Sequence, residues 1–374
     1  MGVSDRTLLF IDAVKADILE EDVMNIVVLA GGLSTERDVS FQSGKRITEA
    51  LRKHDHKVIL LDVFMGYGEE ECDIEGLFER DEEASVKVGK ITDVAPDLEA
   101  VRNSRKDKSA NFFGPNVIKL CQAADIVFLA LHGADGENGK IQAAFDLLGI
   151  RYTGNEFLPC ALAMDKGIAK HFFYYYGIQA PQGFSIHRDS YNKERVLDQT
   201  VFPCVVKPAN GGSSIGVTIV RDVAHYDEAI EEAFKWEEEV LVEDYIEGRE
   251  FSVGVLDGVA LPVVEIIPKT GFYDYRNKYE EGATEEVCPA DIDDELTTKM
   301  QLYAERVVAA LGLGVYSRMD FIVDGDGEIY CLEANTLPGM TPTSLLPREA
   351  EVIGISYSNL CEEIIQLSLE RYNA

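Results

Sequence analysis

The stretch that most constrains this chain runs from Val315 to Leu345 and reads VYSRMDFIVDGDGEIYCLEANTLPGMTPTSL, with two strand-like runs flanking Asp324-Gly325-Asp326-Gly327. Strand-forming residues on both sides of an Asp-Gly repeat, which favours a tight turn with positive φ, predict a β-hairpin. With an even-numbered loop centred there, Tyr316 would face Asn335, Arg318 would face Glu333 and Asp320 would face Cys331, all on one side of the ribbon. One cation and three oxygen ligands then converge. Asp320, Glu333 and Asn335 offer the hard oxygens that Mg²⁺ prefers when it also keeps waters and a phosphate. Arg318 beside them is a planar donor fork for a phosphoryl or acyl oxygen. The competing expectation is an exposed hairpin face whose charges serve solubility alone.

Length and composition bound what surrounds this hairpin. A chain of 374 residues exceeds what one hydrophobic core serves, so two or three domains are expected. Hydrophobic residues make up 46%, yet no apolar stretch reaches membrane-spanning length, and the opening segment lacks a basic n-region and a small-residue cleavage site. Seven cysteines are scattered without a C-x-x-C spacing, which argues against a disulfide framework or a zinc site. A reducing cytoplasm is the expected compartment, with no membrane role. The formal charge of -32 repels a polyphosphate backbone, so nucleic acid is excluded as a main partner. A few lysines in a cleft still suffice for a small anion, because local field outweighs screened net charge.

Along the chain, residues 1–23 read as an N-terminal helical extension, with Leu8, Ile11, Val14, Ile18 and Leu19 at helical spacing. Residues 24–154 form a first α/β domain. Its order is a strand through NIVVLAGG, a helix at about 39–53, a strand at about 57–63, the strand DIVFLALHG and the helix ENGKIQAAFDLLG, which is the pattern of a parallel sheet. Within it, the acidic and glycine-rich residues 66–111 read as a surface insertion outside the core. A central unit at 155–243 combines helical periods with the strands FPCVVKP, VTIV and EEVLVED. The remainder, 244–374, holds two long strands, a polar loop (268–288), a helix (about 291–311), the hairpin and two terminal helices.

Other constellations carry chemistry. Lys207 ends a strand at Pro208, which cannot extend the ladder, and Gly211-Gly212-Ser213-Ser214-Ile215-Gly216 follows. Such a loop lets backbone N–H groups reach phosphate oxygens while the lysine supplies a point charge; alone, it reads equally as an ordinary turn. No G-K-[ST] follows, so it is not a Walker loop, and Gly31-Gly32 is not a dinucleotide fingerprint. Glu243 and Glu250 bracket a candidate adenosine site, and His132 and Asn138 lie at a strand's C-terminal end, the usual place for ligand contacts in an open α/β sheet. Each reads alternatively as a structural or solvated residue.

AGGLSTERDVS (30–40), LHGADGENG (131–139), AMDK (163–166), VKPANGGSSIG (206–216), FYDYRNKY (272–279) and RMD…EANTLPGMTPTSL, in that order, resemble the D-alanine–D-alanine ligases of the ATP-grasp superfamily over essentially residues 24–372. The resemblance implies a mixed α/β and α+β protein with a three-domain ATP-grasp fold and an N-terminal Rossmann-like open parallel sheet. It implies Lys166 and Lys207 on the α and β phosphates of ATP, with Gly212, Ser213 and Ser214 closing over them. Glu243, Asp244, Tyr245, Ile246 and Glu250 would hold adenine and ribose, and Asp320, Glu333 and Asn335 two Mg²⁺ or Mn²⁺ ions. Glu36, with His132 nearby, would take the ammonium of the first D-alanine. Lys278, Ser344 and the Leu345 amide would take the carboxylate of the second. Tyr279, Ser213 and Glu36 would join two lids over the site, and Arg318 with the Gly339 amide would form an oxyanion pocket. The family also implies a D-alanyl phosphate intermediate, a role in peptidoglycan precursor synthesis and a homodimer. The leader, the acidic insertion and Asn210-Gly211, where relatives often carry charge, depart from its commonest pattern.

Overall fold

The computed structural model describes residues 22–68, 73–88, 96–212, 214–269, 271, 277 and 282–373. The reading of a helix within residues 1–21 therefore lies outside the described residues.

Asn25–Ala30 (β1) is apolar and almost wholly buried, as a central parallel strand must be when helices cover both faces. It pairs in parallel with Lys57–Asp62 (β2) on one side and Ile126–Leu129 (β3) on the other, in the order β2-β1-β3. Arg37–Leu51 (α1) makes the first crossover, and Lys140–Leu148 (α2) leaves the sheet after β3. The acidic stretch 66–111 is not merely superficial. Leu77, Phe78 and Ala84 are buried in the first core, and Asp81 and Ser85 accept hydrogen bonds from the N–H groups of Val58 and Leu60. A charge-rich segment thereby closes the exposed edge of β2; its high polarity hid three core residues from the sequence reading.

Phe157–Met164 (α3) and Lys166–Tyr175 (α4) lead to a four-stranded antiparallel sheet. Its strands are Gly183–His187 (β4), Cys204–Pro208 (β5), Thr218–Val220 (β6) and, after helix Tyr226–Ala233 (α5), Glu239–Asp244 (β7), in the order β4-β7-β5-β6. It has its own core of Ile186, Val206, Tyr226, Ile230 and Val242.

The third sheet contains Gly248–Leu256 (β8), Val259–Ala260 (β9), Val264–Pro268 (β10), Thr284–Val287 (β11), Tyr316–Asp324 (β12) and Ile329–Asn335 (β13), with Asp294–Leu311 (α6) on one face. β11 corrects the expectation of a polar loop through 268–288: TEEV pairs with β10 despite its two glutamates. Leu345–Val352 (α7) lies on the other face, and Tyr357–Asn373 (α8) returns to the first core, where Ser358 Oγ donates to the Ala50 carbonyl.

The hairpin register differs from the expected one twice. The loop has three residues, Gly325–Gly327, with Gly327 at φ +81° and its N–H bonded to the Asp324 carbonyl, which shifts the pairing by one. A β-bulge at Leu332 shifts it again, so Arg318 faces Asn335 and Asp320 faces Glu333. A one-residue slip moves every side chain to the opposite face, and two slips restore it. The expected convergence therefore holds with different partners: Met319, Phe321 and Cys331 enter the core, while Arg318, Asp320, Glu333 and Asn335 share the cleft face.

Candidate active site

The four-stranded and six-stranded sheets enclose a cavity of about 200 Å³. Its walls include Val205, Ile215, Ile219, Phe251, Ile322 and Leu332, an apolar slot suited to a planar base, and Leu332 reaches it because the bulge turns it to the same side as Glu333. Of the residues singled out from sequence, Lys166, Lys207, Gly212, Ser214, Glu243, Asp244, Tyr245, Ile246, Glu250, Asp320 and Glu333 line this cavity. Asn335 lines an adjoining recess with Lys166, Gly212, Glu333 and Glu137.

On one wall, lysines dominate. Asp165 caps α4 by accepting from Ile168 N–H at 2.9 Å, so Lys166 and Lys170, one turn apart, share a face of the helix. Lys166 Nζ donates to the Gly211 carbonyl at 2.6 Å and pairs with Glu333 at 3.2 Å, tying the glycine loop to the hairpin. Lys170 Nζ lies 2.9 Å and Lys207 Nζ 2.8 Å from the same oxygen of Glu243, which is 3% exposed. Burial alone would raise the Glu243 carboxyl, but the ammonium groups of Lys207 and Lys170 outweigh it and hold it below the ordinary carboxylate range. Burial, partly offset by Glu243, lowers the Lys170 ammonium to about 8. Sequence reasoning missed Lys170; its helical spacing from Lys166 was the signal available.

On the other wall, Arg318 holds Asp320 with both nitrogens of its fork, at 2.9 and 2.8 Å. Asn335 Nδ2 donates to Asp320 at 3.0 Å, and so does Ser252 Oγ from the facing position on β8. Among the described residues no group of three or more His, Cys, Asp or Glu side chains forms a metal cluster. The donor set here is two carboxylates and an amide, all hard oxygen ligands, whose negative charge Arg318 and Lys166 now offset. This set fits a Mg²⁺ ion whose remaining ligands are waters and phosphate oxygens.

The first sheet contributes the third side. Glu36 stands at the N-cap position of α1 without capping it, and its carboxylate lies against the glycine loop: a Cβ added to Gly212 would be 3.3 Å from Glu36 Oε2. His132 is buried, and both ring nitrogens have protein partners, Leu337 O at 3.1 Å and Ser43 Oγ at 2.9 Å. Burial, partly offset by Glu36, lowers its pKa, so it is neutral near pH 7. Gly339 abuts Ser344, where an added Cβ would come within 2.9 Å of the hydroxyl. Ser344 Oγ accepts from Thr341 N–H at 3.0 Å and precedes α7, whose first residue, Leu345, packs with Val264 and Ile266. Ser213, Lys278 and Tyr279 lie outside the described residues.

Similarity to known proteins extends over most of the chain. Family models described as D-ala D-ala ligase N-terminus and D-ala D-ala ligase C-terminus match residues 25–155 and 172–366. A D-alanine–D-alanine ligase of Pediococcus pentosaceus is 44% identical over 345 residues, covering 91% of this chain and 97% of its own. The crystal structure of a D-alanine–D-alanine ligase from Bacillus anthracis complexed with ATP superposes with a TM-score of 0.70 at 30% identity, covering 94% of this chain and 99% of that one. The VanG D-Ala:D-Ser ligase of Enterococcus faecalis superposes with a TM-score of 0.71 at 31% identity, covering 93% and 100%. The fold is that of the ATP-grasp ligases.

Proposed function

The chain belongs to the D-alanine–D-alanine ligase family, and from that premise we propose that it joins two D-alanine molecules at the expense of ATP, through D-alanyl phosphate, for peptidoglycan precursor synthesis. The observation that carries this reading is the convergence, on one cavity, of lysines from the four-stranded sheet and α4 with the carboxylates of the hairpin.

A carboxylate is a poor electrophile and must be activated. An oxygen of the first D-alanine attacks the γ-phosphorus, the bond to the β-bridging oxygen breaks, and ADP leaves. Lys166 and Lys207 offset phosphate charge, while Gly212, Ser213 and Ser214 offer loop contacts to the phosphates and Glu243 to Glu250 flank the nucleoside. Mg²⁺ or Mn²⁺, held by Asp320, Glu333 and Asn335, would supply further charge neutralisation at the phosphates. Glu36, with His132 behind it, orients the first ammonium. The amine of the second D-alanine then attacks the acyl carbon, and its carboxylate is taken by Lys278, Ser344 and the Leu345 amide. The carbonyl becomes a tetrahedral oxyanion facing Arg318 and the Gly339 N–H, and collapse expels inorganic phosphate and a proton. One such donor is typically worth about 3 kcal/mol. Tyr279 and Ser213, with Glu36, complete the closure that keeps water from the acyl phosphate. A cytoplasmic homodimer belongs to the same proposal, and no described helix is long and apolar enough to cross a membrane.

The test is D-alanine-dependent phosphate release with the product identified by mass. Phosphate without D-alanyl-D-alanine would reject the reading. Similarity to a D-Ala:D-Ser ligase favours one second reading, with D-serine as the attacking amine; competition between D-alanine and D-serine in the same assay decides it.

A further inference from the structure

Glu137 belongs to the LHGADGENG motif, yet the proposed reaction gives it no task. One of its carboxylate oxygens accepts from Gly133 N–H at 3.0 Å. The other accepts from Leu337 N–H at 3.3 Å, although the two residues are 200 positions apart. The other end of Leu337 is held as well: its carbonyl receives the ring of His132 at Nδ1, 3.1 Å away. A carbonyl only accepts, so Nδ1 carries the hydrogen, and Nε2 accepts from Ser43 Oγ on α1 at 2.9 Å. The Leu337 side chain is 2% exposed and embedded in the core of the first sheet.

Leu337 is two residues beyond Asn335, a candidate metal ligand, and two before Gly339, whose N–H faces the oxyanion in the proposed reaction. A loop of this kind has no ladder of its own. Its course is set by what grips it, and here the grip comes from the first domain at N–H, C=O and side chain together. We infer that Glu137 and His132 form a clasp through which the amino-terminal sheet fixes the Thr336–Gly339 loop, making Glu137 a positioning residue for attack by the second amine. This inference rests on the ligase reading and deepens it.

Loosening the clasp would spare phosphoryl transfer, which depends on the cavity walls, and slow the second step, which depends on where Gly339 sits. Acyl phosphate would then persist long enough for water to add to its carbonyl carbon and expel phosphate, returning D-alanine. The experiment measures phosphate and dipeptide together in Glu137→Gln, whose amide nitrogen cannot accept the N–H that one carboxylate oxygen now receives. We expect dipeptide formation to fall roughly tenfold to a hundredfold, the scale of a misplacement of about 1 Å. The phosphate-to-dipeptide ratio should rise above that of the unsubstituted enzyme at unchanged affinity for a nonhydrolysable ATP analogue. Amide exchange across 336–340 should quicken while β12 and β13 stay protected. Ser43→Ala, which frees only the far side of the histidine ring, should shift the ratio the same way by less and serves if Glu137→Gln does not fold. An unchanged ratio and unchanged exchange would overturn the inference, as would a fall in turnover that merely tracks melting temperature. If the unsubstituted chain releases no phosphate with D-alanine, the ligase reading itself has failed, a distinguishable result.

Discussion

The two walls of the cavity balance their charges differently. On the lysine wall, Lys170 and Lys207 both pair with the one carboxylate of Glu243, so this cluster of three carries one more positive than negative charge. At the hairpin wall, Arg318 pairs with Asp320 and Lys166 reaches across from α4 to Glu333, two cations against two carboxylates. The first wall attracts a polyphosphate as it stands. The second has its charges paired, and in the proposed reaction phosphate would draw those cations away and leave two carboxylates in need of a counter-charge. In the proposed reaction a divalent ion arriving with the nucleotide would supply it, which would couple metal and nucleotide binding without direct contact between lysine and metal.

Substitutions can break or sharpen that contrast. The largest effect is expected from Arg318→Ala: dipeptide formation falls by at least ~10²-fold, as for loss of an oxyanion donor, while calorimetry shows the ATP analogue still bound. Unchanged turnover would remove Arg318 from the mechanism. Next, Lys207→Met should weaken analogue binding about tenfold or more and lower stability by about 1–3 kcal/mol, because Glu243 keeps only Lys170. Adding Glu243→Gln should restore part of the stability and none of the affinity, measured by denaturant unfolding beside calorimetry. On the hairpin wall, Mg²⁺ alone should bind weakly and tighten markedly when the analogue is present; tight binding without nucleotide would contradict the two-against-two balance.

The smallest effect concerns Glu349 on α7, wholly buried, whose carboxylate accepts from Gly254 N–H directly opposite Arg318 on the neighbouring strand. Burial drives its pKa well above the usual value. A raised carboxyl contributes stability that is full below about pH 4.5 and is lost as pH rises through the folded pKa. Glu349→Gln keeps an acceptor for Gly254 and has no proton to lose. It should therefore gain on the unsubstituted enzyme by at most about 1.4 kcal/mol per pH unit over that range, and equal pH slopes would show that Glu349 stays ionised.

The legible parts of this molecule are those set by local pattern. β1 announces itself by an unbroken apolar run, and the hairpin by its Asp-Gly turn. The shared face of Arg318, Asp320, Glu333 and Asn335 was legible too, although the three-residue loop and the Leu332 bulge each reversed the parity that led to it. What was not legible depends on distant partners. Thr284–Val287 looks like loop because its glutamates are polar, yet it is a strand because β10 lies beside it. Lys170 looks like helix surface until Glu243 is folded beneath it. Glu137 gains its meaning only when residue 337 is brought to it.

The proposed chemistry makes one oxygen atom traceable. When the first D-alanine carboxylate takes the γ-phosphoryl group and the amine later displaces phosphate, the bridging oxygen leaves with the phosphorus. With D-alanine labelled with ¹⁸O in its carboxylate, ATP and Mg²⁺, mass spectrometry should find one labelled oxygen in the inorganic phosphate for each dipeptide formed. Dipeptide formed with unlabelled phosphate would contradict activation through the acyl phosphate, and label-free phosphate with no dipeptide would contradict the ligase assignment as a whole.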